Sequence, residues 1–281
     1  MSNNGSRSGV TPAIDTTAQA PQPAPAPAAQ AASRLVSDTG VQDMDDATMT
    51  ALIRRAISAP TAADGRDDTM AQRIADALGI SQNRPEMVDD DDLAQYRSGT
   101  YDAGTLYRTV NNVPGKTAQQ MVQEMTTGSG SYGYNYGGGR AYGVGVYFAG
   151  KGSRDRDSGA EHSASNYGYP GRSPYTVEAV VKQGAKIATN ADLQGAKAKA
   201  WSLAHRGALA KAGLRVDASG NTHPTGSMRQ EDGYSIKAML MGYDGYHEPA
   251  SSIPYYTVFN LGALRMARGN KYRAAVSGQL R

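Results

Sequence analysis

The chain has 281 residues with no cysteine, 33 glycines and 17 tyrosines, a formal net charge of +3 and a mean hydropathy of −0.54. Absent cysteine excludes disulfides and thiolate zinc sites, and no window approaches the roughly 20 apolar residues of a membrane span. The charge is divided: residues 1–95 hold 7 Lys+Arg against 14 Asp+Glu, and the remainder holds 22 against 12, so two parts with different partners are expected. The start, MSNNGSRSGVTPAID, lacks the apolar core of a secretory signal.

Residues 1–37, with PQPAPAPAAQAA, are too poor in apolar side chains to offset ordering entropy and read as an Ala/Pro-rich disordered tether. An acidic helical segment follows over 38–95. In DMDDATMTALIRRAISA, Asp45 or Asp46 caps a helix whose Met49, Leu52, Ile53 and Ile57 share a face. In DDTMAQRIADALGI the same spacing recurs at Met70, Ile74 and Leu78, and Gly79 supplies the stop. PEMVDDDDLAQY reads as a capped short helix; its aspartates lack the spacing and central glycine of a calcium loop.

From residue 96 the texture becomes α+β. GTLYRTV reads as a strand, KTAQQMVQEM as a helix, and a Gly/Tyr loop over 128–143 leads into the strand GVGVYFAG. YTVEAVVKQGAKIAT holds one or two strands with Val177, Ala179 and Val181 alternating inward. NADLQGAKAKAWSLAHRGALAKAG is helical with Trp201 in the core, and SIKAMLMGYDG is a helix ended by glycine. IPYYTVFN is a strong strand, and LGALRMAR closes the domain. Strands separated by varied helices and long loops indicate an α+β fold for 96–281. The four histidines show no metal-ligand spacing, so no metal is expected.

LYRTV, GVGVYFAGKGSRDRDSGAEHSASNYG and IPYYTVFNLGALRM, in that order, resemble the ADP-ribosyltransferase superfamily, in particular its poly(ADP-ribose) polymerase-like branch. The resemblance spans roughly residues 83–270. It implies split mixed or antiparallel sheets with flanking helices, and a cleft that takes NAD as substrate without a metal. Gly143 and Gly145 would admit backbone close to a flat ring, and Tyr147 would offer the ring an aromatic face. Ser163 or Ser165 would hold the carboxamide, with backbone near Thr109 as the other clamp and Tyr167 in the same helix. Arg108 would face the diphosphate or ribose, where a planar cation makes bidentate hydrogen bonds.

The catalytic glutamate of that family falls on Tyr255, a phenol that is neutral near pH 7 because its reference pKa is about 10. Glu248, in GYDGYHEPASS, is the carboxylate that could reach in from a loop. The resemblance implies transfer of ADP-ribose to a protein acceptor or hydrolysis of NAD. By analogy with similar domains in bacteriophage particles, it also implies a virion-associated protein found in the particle or the host cytoplasm. Other readings stand beside it. Tyr147 and Phe148 could simply fill a core, and Arg108 could pair with Asp244. The whole could be an inactive interaction component anchored by residues 38–95, with other virion proteins as partners. A nucleic-acid binder rests only on the basic charge of the second part.

Overall fold

In the computed structural model, the residues described are 34–59, 69–97, 105–127, 145–150, 163, 168, 170–248 and 255–271. The expected tether up to residue 33, the Gly/Tyr loop, Gly143, His162, Ser165 and Tyr167 lie outside them. The boundary expected at residue 37 falls inside a structured turn. Val36–Thr39 form one turn of 3-10 helix, and Val36 is fully buried.

Helix α1 (Asp46–Ser58) begins where Asp45 accepts a hydrogen bond from the Thr48 N–H at 2.7 Å, relieving one of the unpaired donors of the first turn. Met49, Leu52, Ile53 and Ala56 are buried, whereas Ile57 is 42% exposed. The expected face is therefore correct for three of its four members, and the small Ala56 takes the last place against the neighbouring helix. Helix α2 (Met70–Leu78) ends at Gly79 with φ +72°. Both helices share one apolar cluster with α7 (Arg206–Lys211) and α8 (Gln230–Leu240), so the acidic segment is built into the core.

The eight-stranded mixed sheet runs β1-β10-β4-β2-β3-β9-β8-β5. Its members are β1 (Glu86–Val88), β2 (Thr105–Val110), β3 (Val146–Ala149), β4 (Tyr175–Val181), β5 (Ile187–Ala188), β8 (Gly245–Glu248), β9 (Tyr255–Val258) and β10 (Leu264–Ala267). The edge pairs β1/β10 and β5/β8 are parallel; the interior pairs are antiparallel. Strands β6 (Leu214–Val216) and β7 (Thr222–Pro224) form a separate hairpin. Neither this hairpin nor β1 nor β8 is evident from the sequence, because each is three or four residues long with little alternation. The expected long helix after residue 190 is three: α5 (Asn190–Gln194), α6 (Ala196–Ala204) and α7, broken at Gly195 and His205. Trp201 is half-buried against the helical cluster, and Leu203 is exposed.

The two sheet faces differ. One carries Leu106, Val177, Ala179 and Phe148 and packs on α4 (Ala118–Thr127). The opposite face is covered at one end by α3 (Asp90–Arg97), through Leu93 against Val88, Val180 and Ala267, with Arg265 stacked 3.8 Å over the Tyr96 ring. At its other end Ala188 and Tyr246 join the cluster of α1, α2, α7 and α8. The strands between these covers carry polar side chains.

GYDGY is a structural knot. Gly242 turns the chain with φ +86°, and a Cβ at Gly245 would lie 2.7 Å from the Thr257 carbonyl oxygen. Between them the fully buried Asp244 accepts hydrogen bonds from Val36 N–H (2.8 Å), Lys186 N–H (2.9 Å) and Asn260 Nδ2 (2.6 Å).

Helix α8 also buries a charge: Lys237 is 2% exposed, and loss of hydration, with a smaller push from Lys199, lowers its pKa to about 8. A depressed lysine binds fewer protons folded than unfolded, so stability rises as pH increases from about 8 toward the unfolded value of 10.5. Lys237→Met is expected to stabilise the protein at pH 7, by at most on the order of 3 kcal/mol, with the gain shrinking between about pH 8 and 10.5. Urea unfolding at pH 7 and pH 10 checks this; an equal gain at both values would show that burial of charge is not its cause.

Candidate active site

The site is organised by the seam between β2 and β3. These strands share one register pair, Tyr107 opposite Ala149, whereas β2 pairs with β4 over six residues and β3 with β9 over four. Arg108 bridges the seam, its Nη1 donating to the Tyr147 carbonyl oxygen at 2.9 Å. It is 8% exposed and leaves β2 on the side of Leu106 and Val110, opposite Val177, which belongs to the α4-covered core. Tyr147 stands opposite Thr257 on the other face and is half-buried. The structure thus joins Arg108 to the Tyr147 backbone, but strand alternation sends the two side chains to opposite faces. Arg108 braces the strand rather than forming an open cleft wall.

Gly145 also departs from expectation. Its φ is +148°, and a Cβ there would meet Thr257 Cγ2 at 2.7 Å and the Val258 carbonyl oxygen at 3.1 Å. The close approach this glycine permits is to its neighbouring strand β9, not to a ligand ring. Phe148 is core, as expected.

The polar face of the seam carries a chain of hydroxyls. Thr109 Oγ1 shares hydrogen bonds with Ser163 Oγ at 2.9 Å and with Thr176 Oγ1 at 2.7 Å, and all three residues are buried. Of the two candidate serines, Ser163 is the one whose contact is described. Thr109 is a neighbour as expected, through its hydroxyl rather than its main chain. Fully buried hydroxyls of this kind are retained where each has a partner.

Register places further residues in one row across five strands: Glu178, Tyr107, Ala149, Tyr255 and Glu248. Glu248 is the last residue of a strand, with its Cα opposite Tyr255, and not part of a loop as expected. Glu178, which sequence reasoning passed over, is 3% exposed on this polar face. Its signal was available: YTVEAVV puts a lone glutamate among apolar residues of a central strand, where an ionised side chain is costly unless paired. Lys271 Nζ lies 3.9 Å from Glu178 and bonds to Asp90 at the start of α3.

On the core side, His247 stacks on Tyr256 with ring centroids 4.8 Å apart, and burial lowers its pKa. Among the described residues its Nε2 has no hydrogen-bond partner. Also among them, no group of three His, Asp or Glu is placed to hold a metal ion, and no helix is long and apolar enough to cross a membrane. No protein-family model, curated protein or solved structure matches the chain.

Proposed function

We propose that this chain is an ADP-ribosyltransferase-like protein that binds NAD on the polar face of the β2/β3 seam. The observation that carries the reading is the Thr109–Ser163 hydroxyl contact, formed between residues 54 apart in sequence and beside the strand that bears Tyr147. Two adjacent hydroxyls can donate to and accept from a carboxamide, and a half-buried tyrosine offers a ring face at the same seam. In the reaction the bond from the nicotinamide nitrogen to the ribose C1′ breaks and its electron pair leaves with nicotinamide. An acceptor nucleophile on a protein, or water, then bonds to C1′ and loses its proton. The developing oxocarbenium charge calls for a carboxylate, and the residue paired with Tyr255 on the neighbouring strand, at position 248, is a glutamate.

A second reading is favoured by one residue. Tyr255 removes the expected carboxylate, so the same site would serve a binding or interaction component, such as part of a virion, that holds the dinucleotide without cleaving it.

Calorimetry of the full chain with NAD, followed by mass spectrometry of protein acceptors, separates the readings. Tyr147→Ala is expected to weaken NAD binding about tenfold or more, the loss of one ring-stacking surface. Unchanged affinity in this variant would remove Tyr147 from the site, and no NAD binding by the parent chain would overturn both readings.

A further inference from the structure

A lysine is held in the helical cluster with no acid beside it. Lys237, on α8, is 2% exposed, and among the described residues its ammonium has neither a hydrogen-bond acceptor nor a carboxylate partner. The stem is packed, and the ammonium at its end keeps contact with water, the arrangement of a snorkelling lysine. The charge that acts on it is another cation, Lys199 of α6, and no carboxylate offsets that push.

The β6/β7 hairpin brings the two lysines together. At its turn Gly220 lies against α6, where a Cβ would meet the Lys199 Cβ at 2.8 Å. At its base Gly233 of α8 admits the hairpin, where a Cβ would stand 3.0 Å from Leu214 and 3.1 Å from Pro224. Lys237 follows Gly233 by one helical turn and so projects from the same side of α8. The hairpin is thus wedged between the two helices with a lysine on each flank. Its own carboxylate, Asp217, is engaged within the turn: it accepts from Asn221 Nδ2 at 3.0 Å and lies 3.1 Å from His223 Nε2.

Two ammonium groups with no acid between them select a ligand that carries two negative charges. A carboxylate neutralises one of them. A phosphate monoester carries about −1.5 to −2 at pH 7 and offers oxygens to both. Because packing already fixes the Lys237 stem, little rotamer freedom remains to be lost on binding.

From this arrangement we infer that Lys237 and Lys199, beside the β6/β7 hairpin, form a binding site for a phosphate dianion, free or at the end of a small molecule. The inference does not rest on the NAD reading, since α6, α8 and the hairpin build this site and the β2/β3 seam builds the other.

Calorimetry of the full chain with inorganic phosphate, glycerol 3-phosphate and acetate, at one ionic strength, tests it. Phosphate is expected to bind, and acetate to bind about tenfold more weakly or less. Lys237→Met and Lys199→Gln should each weaken phosphate about tenfold, the effect of deleting one of two charges at close range. Lys211→Gln removes the same charge from an exposed position on α7 and should change affinity by less than about twofold. Phosphate should also raise the urea midpoint of the parent and leave that of Lys237→Met in place, because a ligand stabilises only the state that binds it. Binding of glycerol 3-phosphate as tight as that of inorganic phosphate upholds the site as one for a phosphate carried on a small molecule; binding of inorganic phosphate alone upholds it as one for the free anion. No phosphate binding by the parent overturns the inference, as does acetate binding equal to phosphate. A loss in Lys211→Gln equal to that in Lys237→Met also overturns it, because the attraction would then be diffuse.

Discussion

Asp244→Ala is expected to be among the most destabilising single substitutions in the chain, with a loss of about 2–5 kcal/mol, the scale for leaving more than one hydrogen-bond donor without its acceptor. The carboxylate receives hydrogen bonds from the main chain at Val36, from the main chain at Lys186 and from the side chain of Asn260. Removing it takes the acceptor from the Val36 and Lys186 N–H groups and one of two acceptors from Asn260 Nδ2, which keeps the Arg34 carbonyl oxygen; a buried donor left unsatisfied costs about 1–3 kcal/mol. Burial pushes the Asp244 pKa upward, and its three donors counter that only in part, leaving the net shift upward. The segment 34–41 should detach first, since Val36 and the Arg34 carbonyl, which accepts from Asn260 and Asn83, meet at this point. Urea unfolding measures the total, and hydrogen exchange at Val36 measures the local effect. A loss under about 1 kcal/mol would mean that the knot carries little of the fold.

Glu248→Gln is expected to lower nicotinamide release by about a hundredfold or more, the usual effect of deleting a group that stabilises transition-state charge, while NAD affinity stays within a few-fold of the parent. The physical reason is the register, which puts position 248 one strand from Tyr255 and two strands from Ala149. Tyr255→Glu, in the same assay, places a carboxylate where the resembled family carries its glutamate and should raise turnover. Full turnover in Glu248→Gln would remove this residue from the chemistry. Absent turnover in the parent chain together with NAD binding would establish the binding component instead.

The distribution of what could be read in advance follows the range of the interactions. Helices α1 and α2 were legible because capping at Asp45, the three- and four-residue spacing of Met49, Leu52 and Ile53, and the stop at Gly79 are local devices. Strands β2, β3, β4 and β9 were legible because β-branched and aromatic residues dominate them. Strand β8 was hidden in GYDGYHEP because its stability comes from lying against β9, which its own four residues do not announce. Gly145 was noticed as unusual, but its reason, a Thr257 methyl 2.7 Å from where a Cβ would sit, belongs to a strand more than a hundred residues away.

The candidate site divides along the same line. The residue types were visible: a tyrosine on a glycine-entered strand, a serine and a threonine, a missing glutamate at Tyr255 and a substitute at Glu248. By itself the sequence therefore determined the α+β class, most of the elements and the list of polar residues able to serve a dinucleotide, because periodicity, capping and residue chemistry act within a few positions. Only the tertiary structure decided that Arg108 turns away from Tyr147, that Ser163 meets Thr109, and that Glu178, Tyr107, Ala149, Tyr255 and Glu248 fall in one row. Strand register sets the order of that row, and a shift of a single residue in one strand would replace its member of the row with a neighbour of the opposite facing.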